Sequence, residues 1–277
     1  MLDRYAVMGF PISHSLSPVI HQQFAEQTGQ DISYEAIEVR PESFDQAMDD
    51  FFHAGGQGVN CTVPLKELAF KKADQLTERA KFSGAVNTLK LMEDGSLLGD
   101  NTDGVGLMTD LCKNLGLSLA GKRLLVLGAG GATRGILGPL LEAKPECLFL
   151  ANRTIEKAQK LKVIFAPLGN IDVSSYEDLL GNKFDLIINA TSASLSGKVP
   201  PLPHDILAKQ AVCYDLAYSK KPTAFTLWGK GEGAFLSVGG LGMLIEQAAQ
   251  AFYIWRSVMP DTDSVVNKIN TADGYSV

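Results

Sequence analysis

The chain has 277 residues, of which 45% are hydrophobic and 20% charged; this is the composition of a folded protein long enough for two domains, and it excludes a disordered chain. The formal net charge of −6 argues against nucleic acid as a partner, because a binder of phosphate backbones carries a basic face. No apolar run reaches the length of a membrane span and the start lacks a signal-peptide core, so no membrane partner is expected and the cytoplasm is the expected compartment.

The first apolar run, 5–9, reads as a strand and leads into a Pro-bounded loop holding Ser13, His14, Ser15 and Ser17. Ser17 followed by Pro18 reads first as a helix N-cap with proline at the opening helical position. Ser13 and Ser15 have no such local role, and hydroxyls gathered where a strand ends and a helix begins suit a small anion or polyol. A helix over 19–28 ends at Gly29, a strand follows over 32–39, and a helix over 41–53 precedes the glycines at 55, 56 and 58. The strand 58–63 runs into Pro64 and Lys66. Lys66 therefore falls just past a strand end, where ligands of parallel sheets gather, although most lysines are solvated surface residues.

A charged helical stretch, 67–81, precedes a strand-like run at 84–92, a hairpin turn at 93–95, and residues 97–104. Polar residues thus recur at strand ends: Thr62, Lys66, Asn87 and Asp103. Four such positions can converge on one hydroxylated substrate. A helix over 105–115 then leads to the strand 124–127, followed at once by Gly128, Ala129, Gly130, Gly131 and Ala132. A strand, a glycine turn and a helix start let the backbone approach a pyrophosphate, whose charge the helix N-terminus stabilises.

The next apolar run, 147–151, completes a βαβ unit of the length this fingerprint requires. It ends in Asn152, Arg153 and Thr154, where an NAD site would place an acidic residue. A carboxylate repels a 2′-phosphate and a guanidinium pairs with one, so the expected cofactor is NADP; the bland alternative is a solvated arginine after a strand. Beyond it come a helix to 162, a strand at 171–173 and a helix at 176–180. The apolar strand 184–189 follows and ends in small polar residues around Thr191 that would face a bound nucleotide. Strands at 211–216 and 234–238 precede a long helix opened by the glycines 239, 240 and 242. Residues 260–277 read as one last short helix with a loose end. The regular alternation gives an α/β fold class, with parallel sheets covered by helices. Cys61, Cys112, Cys147 and Cys213 lack metal-ligand or disulfide spacing and read as reduced packing thiols; no metal is expected.

The motifs at 9–18, 60–66, 84–88, 99–104, 128–134, 152–154, 189–192 and 240–244, eight in order, resemble those of the shikimate dehydrogenases over nearly the whole chain. The resemblance implies reversible NADPH-dependent reduction of 3-dehydroshikimate to shikimate, on the chorismate route to aromatic amino acids. It also implies an α/β substrate domain over 1–103 plus 241–277, with a Rossmann-type NADP domain inserted over 104–240. By resemblance, Ser15 and Ser17 hold the substrate carboxylate, with Tyr218 nearby; Thr62, Asn87, Asp103 and Gln247 bind ring hydroxyls; and Lys66, paired with Asp103, is the acid–base group.

On the cofactor side, the resemblance assigns Gly128, Ala129, Gly130, Gly131 and Ala132 to the pyrophosphate. Asn152, Arg153, Thr154 and Lys157 go to the 2′-phosphate, and Thr191, Leu216 and Gly240 to the nicotinamide end. Gly239 departs from the Asp that many members carry there, which implies a looser hinge. The assembly implied is a monomer or homodimer binding only small molecules. Two rival readings are a quinate/shikimate dehydrogenase of broader specificity and a non-catalytic dinucleotide-binding regulator. Lys66 and Asp103 speak against the second.

Overall fold

The structure is a computed structural model describing residues 2–273. The chain divides into two compact units, Met1–Gly106 with Ile245–Asn267, and Leu107–Leu244 with Lys268–Val277.

In the first unit the elements run β1 (Asp3–Gly9), α1 (Ser17–Thr28), β2 (Ile32–Glu38), α2 (Phe44–His53), β3 (Gly56–Cys61), α3 (Lys66–Lys72), β4 (Gln75–Leu76), α4 (Glu78–Ser83), β5 (Thr88–Leu91) and β6 (Leu97–Asp100). They form a six-stranded sheet in the order β2-β1-β3-β5-β6-β4. The sheet is mixed: β5 runs antiparallel to both β3 and β6. The reason is the hairpin foreseen at 93–95, where Gly95 takes a φ of 84° and Asp94 Oδ1 accepts the Ser96 N–H at 2.9 Å. Buried Met8, Phe44, Met48, Val59, Leu65 and Leu89 pack into the core of this unit. The expected single helix over 67–81 is broken. Ala73 is extended, β4 pairs with β6, and Thr77 caps α4 by accepting the Ala80 N–H.

After α5 (Asp103–Thr109) and a π-helical turn over Asp110–Asn114, the chain continues as β7 (Arg123–Leu127), α6 (Gly131–Glu142), β8 (Cys147–Ala151), α7 (Ile155–Phe165), β9 (Ile171–Ser174), β10 (Phe184–Asn189), β11 (Leu207–Asp215), α8 (Ala224–Gly231), β12 (Leu236–Gly239), α9 (Leu241–Arg256) and α10 (Thr262–Asp273). The expected helix near 176–180 is only a 3-10 turn, Glu177–Leu179. Residues 274–277 of the expected last helix lie outside the described residues. The second sheet has the order β12-β11-β10-β7-β8-β9 and every pairing is parallel. The strand order reverses between β7 and β10. Leu124, Val126, Leu150, Ile188 and Tyr214 fill one face of this sheet, and Leu125, Leu127, Ile187 and Phe225 the other, which is why these strands read as continuous apolar runs.

The four cysteines are free, but only Cys61 and Cys213 are packing thiols; Cys112 is exposed and Cys147 intermediate, since one lies in the π-helical turn and the other opens β8. In the second unit, Asp110 is buried and accepts the Tyr214 hydroxyl at 2.5 Å. A Cβ on Gly242 would lie 2.1 Å from Asp110 Oδ1, so this carboxylate requires glycine there.

In the first unit, His21 on α1 is fully buried, stacked on Tyr34 at 4.2 Å between ring centroids and edged by Phe24 and Trp255. Neither ring nitrogen completes a hydrogen bond; the nearby Asn60 amide is directed to Asn87 and Thr88 instead. Burial therefore pulls the imidazole down to about 3 from 6.5. Because the folded pKa is depressed, the unfolded chain takes up a proton below 6.5 that the folded chain refuses until about 3. Stability falls as pH drops through that window, by about 1.4 kcal/mol per pH unit from this group. Denaturant titrations at several pH values should show wild type losing stability faster than His21→Phe below pH about 6.5; parallel pH dependences would refute the buried neutral imidazole.

Candidate active site

The first unit gathers its polar side chains where β3 and β6 end and the antiparallel β5 begins. Lys66 opens α3 and Asp103 opens α5, and Lys66 Nζ donates to Asp103 Oδ2, with only 12% and 6% of the two side chains exposed. Asn87, immediately before β5, sits at the centre. Its Nδ2 lies 2.9 Å from Asp103 Oδ1, 2.9 Å from Thr102 Oγ1 and 3.2 Å from Gln247 Oε1. Its Oδ1 accepts the Thr102 N–H at 2.8 Å and the Thr88 hydroxyl at 2.9 Å. Asp103 is further fixed by its own N–H, which donates to Asn101 Oδ1. With its carboxylate so engaged, the Lys66 ammonium is held at one place and keeps protons to give.

The same hydrogen bonding runs back toward the serine loop. Asn60 donates to the Asn87 carbonyl at 3.1 Å and accepts the Tyr34 hydroxyl at 2.7 Å; the Ser17 side chain lies beside Tyr34. Burial pushes the Tyr34 phenol well above its ordinary value, so it remains a donor. Ser17 is not the N-cap of α1, a correction to the first reading of that residue: Leu16 holds the cap position without a side-chain bond. Ser15 does have a local role, because its Oγ accepts the Ser17 N–H at 3.2 Å. A hydroxyl accepting one bond still has its own proton to donate. The serine loop and the β3–α3 turn are joined by Phe10 N–H to the Val63 carbonyl at 3.0 Å, and a Cβ on Gly9 would meet Thr62 Cγ2 at 2.4 Å. Glycine at 9 is thus required for Thr62 to close on that loop.

In the second unit one register row crosses the whole sheet: Gly239, Asp215, Asn189, Leu127, Ala151 and Ser174 are paired in turn. All strands therefore end level, and Gly240, Leu216, Thr191, Gly128 and Asn152–Arg153 follow within two residues. Gly128 has a φ of 102° and its Cβ would lie 3.1 Å from the Ala190 carbonyl, so only glycine turns the chain here. Gly130 is the N-cap of α6 and supplies no side chain, and the first turn contains no acidic residue. The first-turn N–H groups, which have no carbonyl within the helix, are left for an anion. Thr133 Oγ1 donates to the Gly128 carbonyl at 2.9 Å and fixes the turn from below.

Asn152 Nδ2 donates to the Thr154 carbonyl at 2.7 Å, while Arg153, Thr154 and Lys157 are exposed at the start of α7. Free backbone donors at a helix start and two exposed cations after the next strand are a donor set that fits a dinucleotide carrying a 2′-phosphate. Tyr218 follows β11 and Gly240 follows β12 in this unit.

The structure thus brings Lys66, Asn87, Asp103 and Gln247 into one hydrogen-bonded set, with Thr62 on the adjoining turn and Ser15 and Ser17 on the loop joined to it. Tyr34, Asn60 and Thr102 belong to the same set without having been singled out. Two of them stood inside motifs, at 60–66 and 99–104, and their position next to assigned residues was the available signal. Tyr34 on β2 carried none.

Comparison with known proteins gives three family matches. "Shikimate dehydrogenase substrate binding domain" covers residues 7–89, "Shikimate / quinate 5-dehydrogenase" residues 110–197, and "Shikimate 5'-dehydrogenase C-terminal domain" residues 240–268. The protein of Methylococcus capsulatus named "Shikimate dehydrogenase (NADP(+))" is 56% identical over 267 residues, covering 96% of each chain. An Ael1 enzyme from Pseudomonas putida of solved structure is 45% identical with a TM-score of 0.86, covering 96% of this chain and 97% of that one. The shikimate 5-dehydrogenase of Thermus thermophilus, crystallised with NADP(H) and shikimate, is 34% identical with a TM-score of 0.86, covering 98% and 100%.

Two glycines of the turn should separate strain from access. Gly128→Ala places a side chain at positive φ and should cost about 1–2 kcal/mol of unfolding stability. Gly130 has an extended backbone and its Cβ would meet nothing within 4 Å, so Gly130→Ala should leave stability within about 0.5 kcal/mol yet weaken dinucleotide binding measured by calorimetry. Equal stability losses for the two variants would contradict this account of the turn.

Proposed function

The chain belongs to the shikimate dehydrogenase family, and on that premise we propose that it catalyses the reversible NADPH-dependent reduction of 3-dehydroshikimate to shikimate in chorismate and aromatic amino acid biosynthesis. The observation that carries the reading is the ion pair of Lys66 with Asp103, enclosed by Asn87, Thr102 and Gln247. NADPH, when bound, supplies the hydride that reaches the C3 carbonyl carbon. Charge then develops on the carbonyl oxygen, and Lys66 both stabilises it and donates the proton. Asp103 keeps the ammonium aimed and, with Asn87 and Gln247, accepts or donates to ring hydroxyls. In the oxidative direction Lys66 takes the proton from the C3 hydroxyl by the same path.

Ser15 and Ser17 donate hydroxyl protons to the substrate carboxylate, the Ser15 oxygen also accepting the Ser17 N–H. Thr62 adds a further hydroxyl beside them, and Tyr218 is assigned to the carboxylate end. Because buried amides and a carboxylate read the hydroxyls, an analogue lacking one leaves a partner unsatisfied and is rejected. On the nucleotide side, Gly128 to Ala132 hold the pyrophosphate, Asn152, Arg153, Thr154 and Lys157 the 2′-phosphate, and Thr191, Leu216 and Gly240 the nicotinamide end. No acidic side chain stands at 152–154 to hold a free 2′-hydroxyl, which favours NADP over NAD.

The test is an initial-rate comparison with shikimate or quinate, each with NADP or NAD. The reading predicts fast turnover confined to shikimate with NADP; comparable rates with quinate would overturn the stated substrate choice, and no turnover with any pair would overturn the activity. In the same assay Lys66→Met should lose at least about 100-fold in kcat while NADP binding by calorimetry is unchanged. Arg153→Ala should weaken NADP by about tenfold and leave NAD nearly as before.

A further inference from the structure

Asp215, the last residue of β11, is fully buried in the second unit, and among the described residues its hydrogen-bond donors are neutral. Its carboxylate accepts from four neutral groups: Asn189 Nδ2 at 3.0 Å and the Ala217 N–H at 3.2 Å on one oxygen, and the Ser194 and Thr223 hydroxyls at 2.6 Å each on the other. These donors come from four separate segments: the end of β10, the 3-10 turn after it, the loop after β11, and the N-cap of α8. Burial raises the pKa of this carboxyl, and the four donors oppose that. A carboxylate placed so expensively in the interior calls for a reason beyond packing.

The segments it ties are the ones that follow the strand ends on one side of the sheet. Asn189, besides donating to Asp215, accepts the Thr191 hydroxyl at 2.7 Å and the Thr191 N–H at 3.2 Å. Leu216 is bonded through its N–H to the Asn189 carbonyl at 2.9 Å. Ala217, which donates to Asp215, accepts the Gly240 N–H at 3.0 Å; a Cβ on Gly240 would lie 2.5 Å from the Leu216 carbonyl. Thr191, Leu216 and Gly240 thus all hang, at one remove, on a single carboxylate. The sheet says which half of a dinucleotide they meet. The pyrophosphate turn follows β7 and the 2′-phosphate residues follow β8, so the other half lies across the reversal point, over the ends of β10 and β11.

We propose that Asp215 is a positioning residue for the nicotinamide half of the site, fixing the Thr191, Leu216 and Gly240 segments against one another while taking no part in binding the adenosine half. The proposal rests on the nucleotide reading above. Asp215→Ala removes all four bonds. Asp215→Asn keeps an acceptor for Asn189 and Ala217, and its amide can donate to the Ser194 and Thr223 oxygens. The Thr223 hydroxyl then has the Thr226 hydroxyl, 3.3 Å away, as an acceptor.

The experiment measures, on the full chain, calorimetric affinity for NADP and for adenosine 2′,5′-bisphosphate, together with single-turnover reduction of NADP by shikimate. For Asp215→Ala the fragment should bind within about twofold of wild type, while NADP affinity falls and the single-turnover rate drops on the order of 100-fold, the cost of a misplaced reacting group. Asp215→Asn should recover most of both losses. Should Asp215→Ala not fold, Ser194→Ala, which deletes one donor, is expected to show the same split at smaller size. Equal weakening of the fragment and NADP, or no change in either NADP affinity or rate, would overturn the proposal. If wild type fails to oxidise shikimate, the functional reading falls, and the contrast between NADP and the fragment still decides the role of Asp215.

Discussion

The interaction on which the first unit depends is the pairing of Lys66 with Asp103 out of water. An ammonium and a carboxylate with so little exposure gain from each other less than they lose in hydration unless their remaining protons and lone pairs are also met. That requirement accounts for the surrounding residues. Asn87 reaches Asp103 from one side, the Asp103 N–H is fixed by Asn101, and Asn87 is itself held by Thr102, Thr88 and the Gln247 side chain. Because Lys66 and Asp103 each open a helix, both backbones are placed by secondary structure and the side chains are left little freedom. The antiparallel β5 matters for the same reason: it delivers Asn87 to the end of the sheet where a parallel strand would have carried it away.

The second unit solves a different problem with the same economy of position. A phosphate-rich ligand needs backbone donors and close approach more than it needs side chains, and the level strand ends supply both. Gly240 against Leu216 and Gly242 against Asp110 mark where other atoms come too near for a Cβ, and Gly128 is set by its positive φ. Gly239 has the Ala217 carbonyl 3.2 Å from its would-be Cβ, so a side chain there would press on the loop that Asp215 holds.

Much of this was legible in the sequence because it rests on patterns that local chemistry writes plainly. Apolar runs stopping at 127, 151 and 189 announce strand ends, and the residues just after them are the ones the sheet presents together. Lys66 and Asp103 were legible for the same reason, whereas Asn87 precedes β5 and lies at that end because β5 runs antiparallel. What escaped is long-range. Asn87 meets Gln247 across 160 positions, Tyr34 reaches Asn60 from a different strand, and no periodicity records such meetings. The break at Ala73 was hidden because the stretch 67–81 has helical composition throughout. Pairing of Gln75 and Leu76 with β6 overrides that propensity. Ser17 resembled a cap because Ser-Pro is a good helix start, yet Leu16 takes the cap position.

The account stands on Lys66 and Asp103 acting as one unit, and a double-mutant cycle on kcat with shikimate and NADP tests that most directly. With Lys66→Met, Asp103→Asn and the double variant compared, the account predicts strong non-additivity, the double variant being no slower than Lys66→Met alone. Losses that multiply, each substitution costing its full factor in the presence of the other, would show that the two side chains act independently and would contradict it.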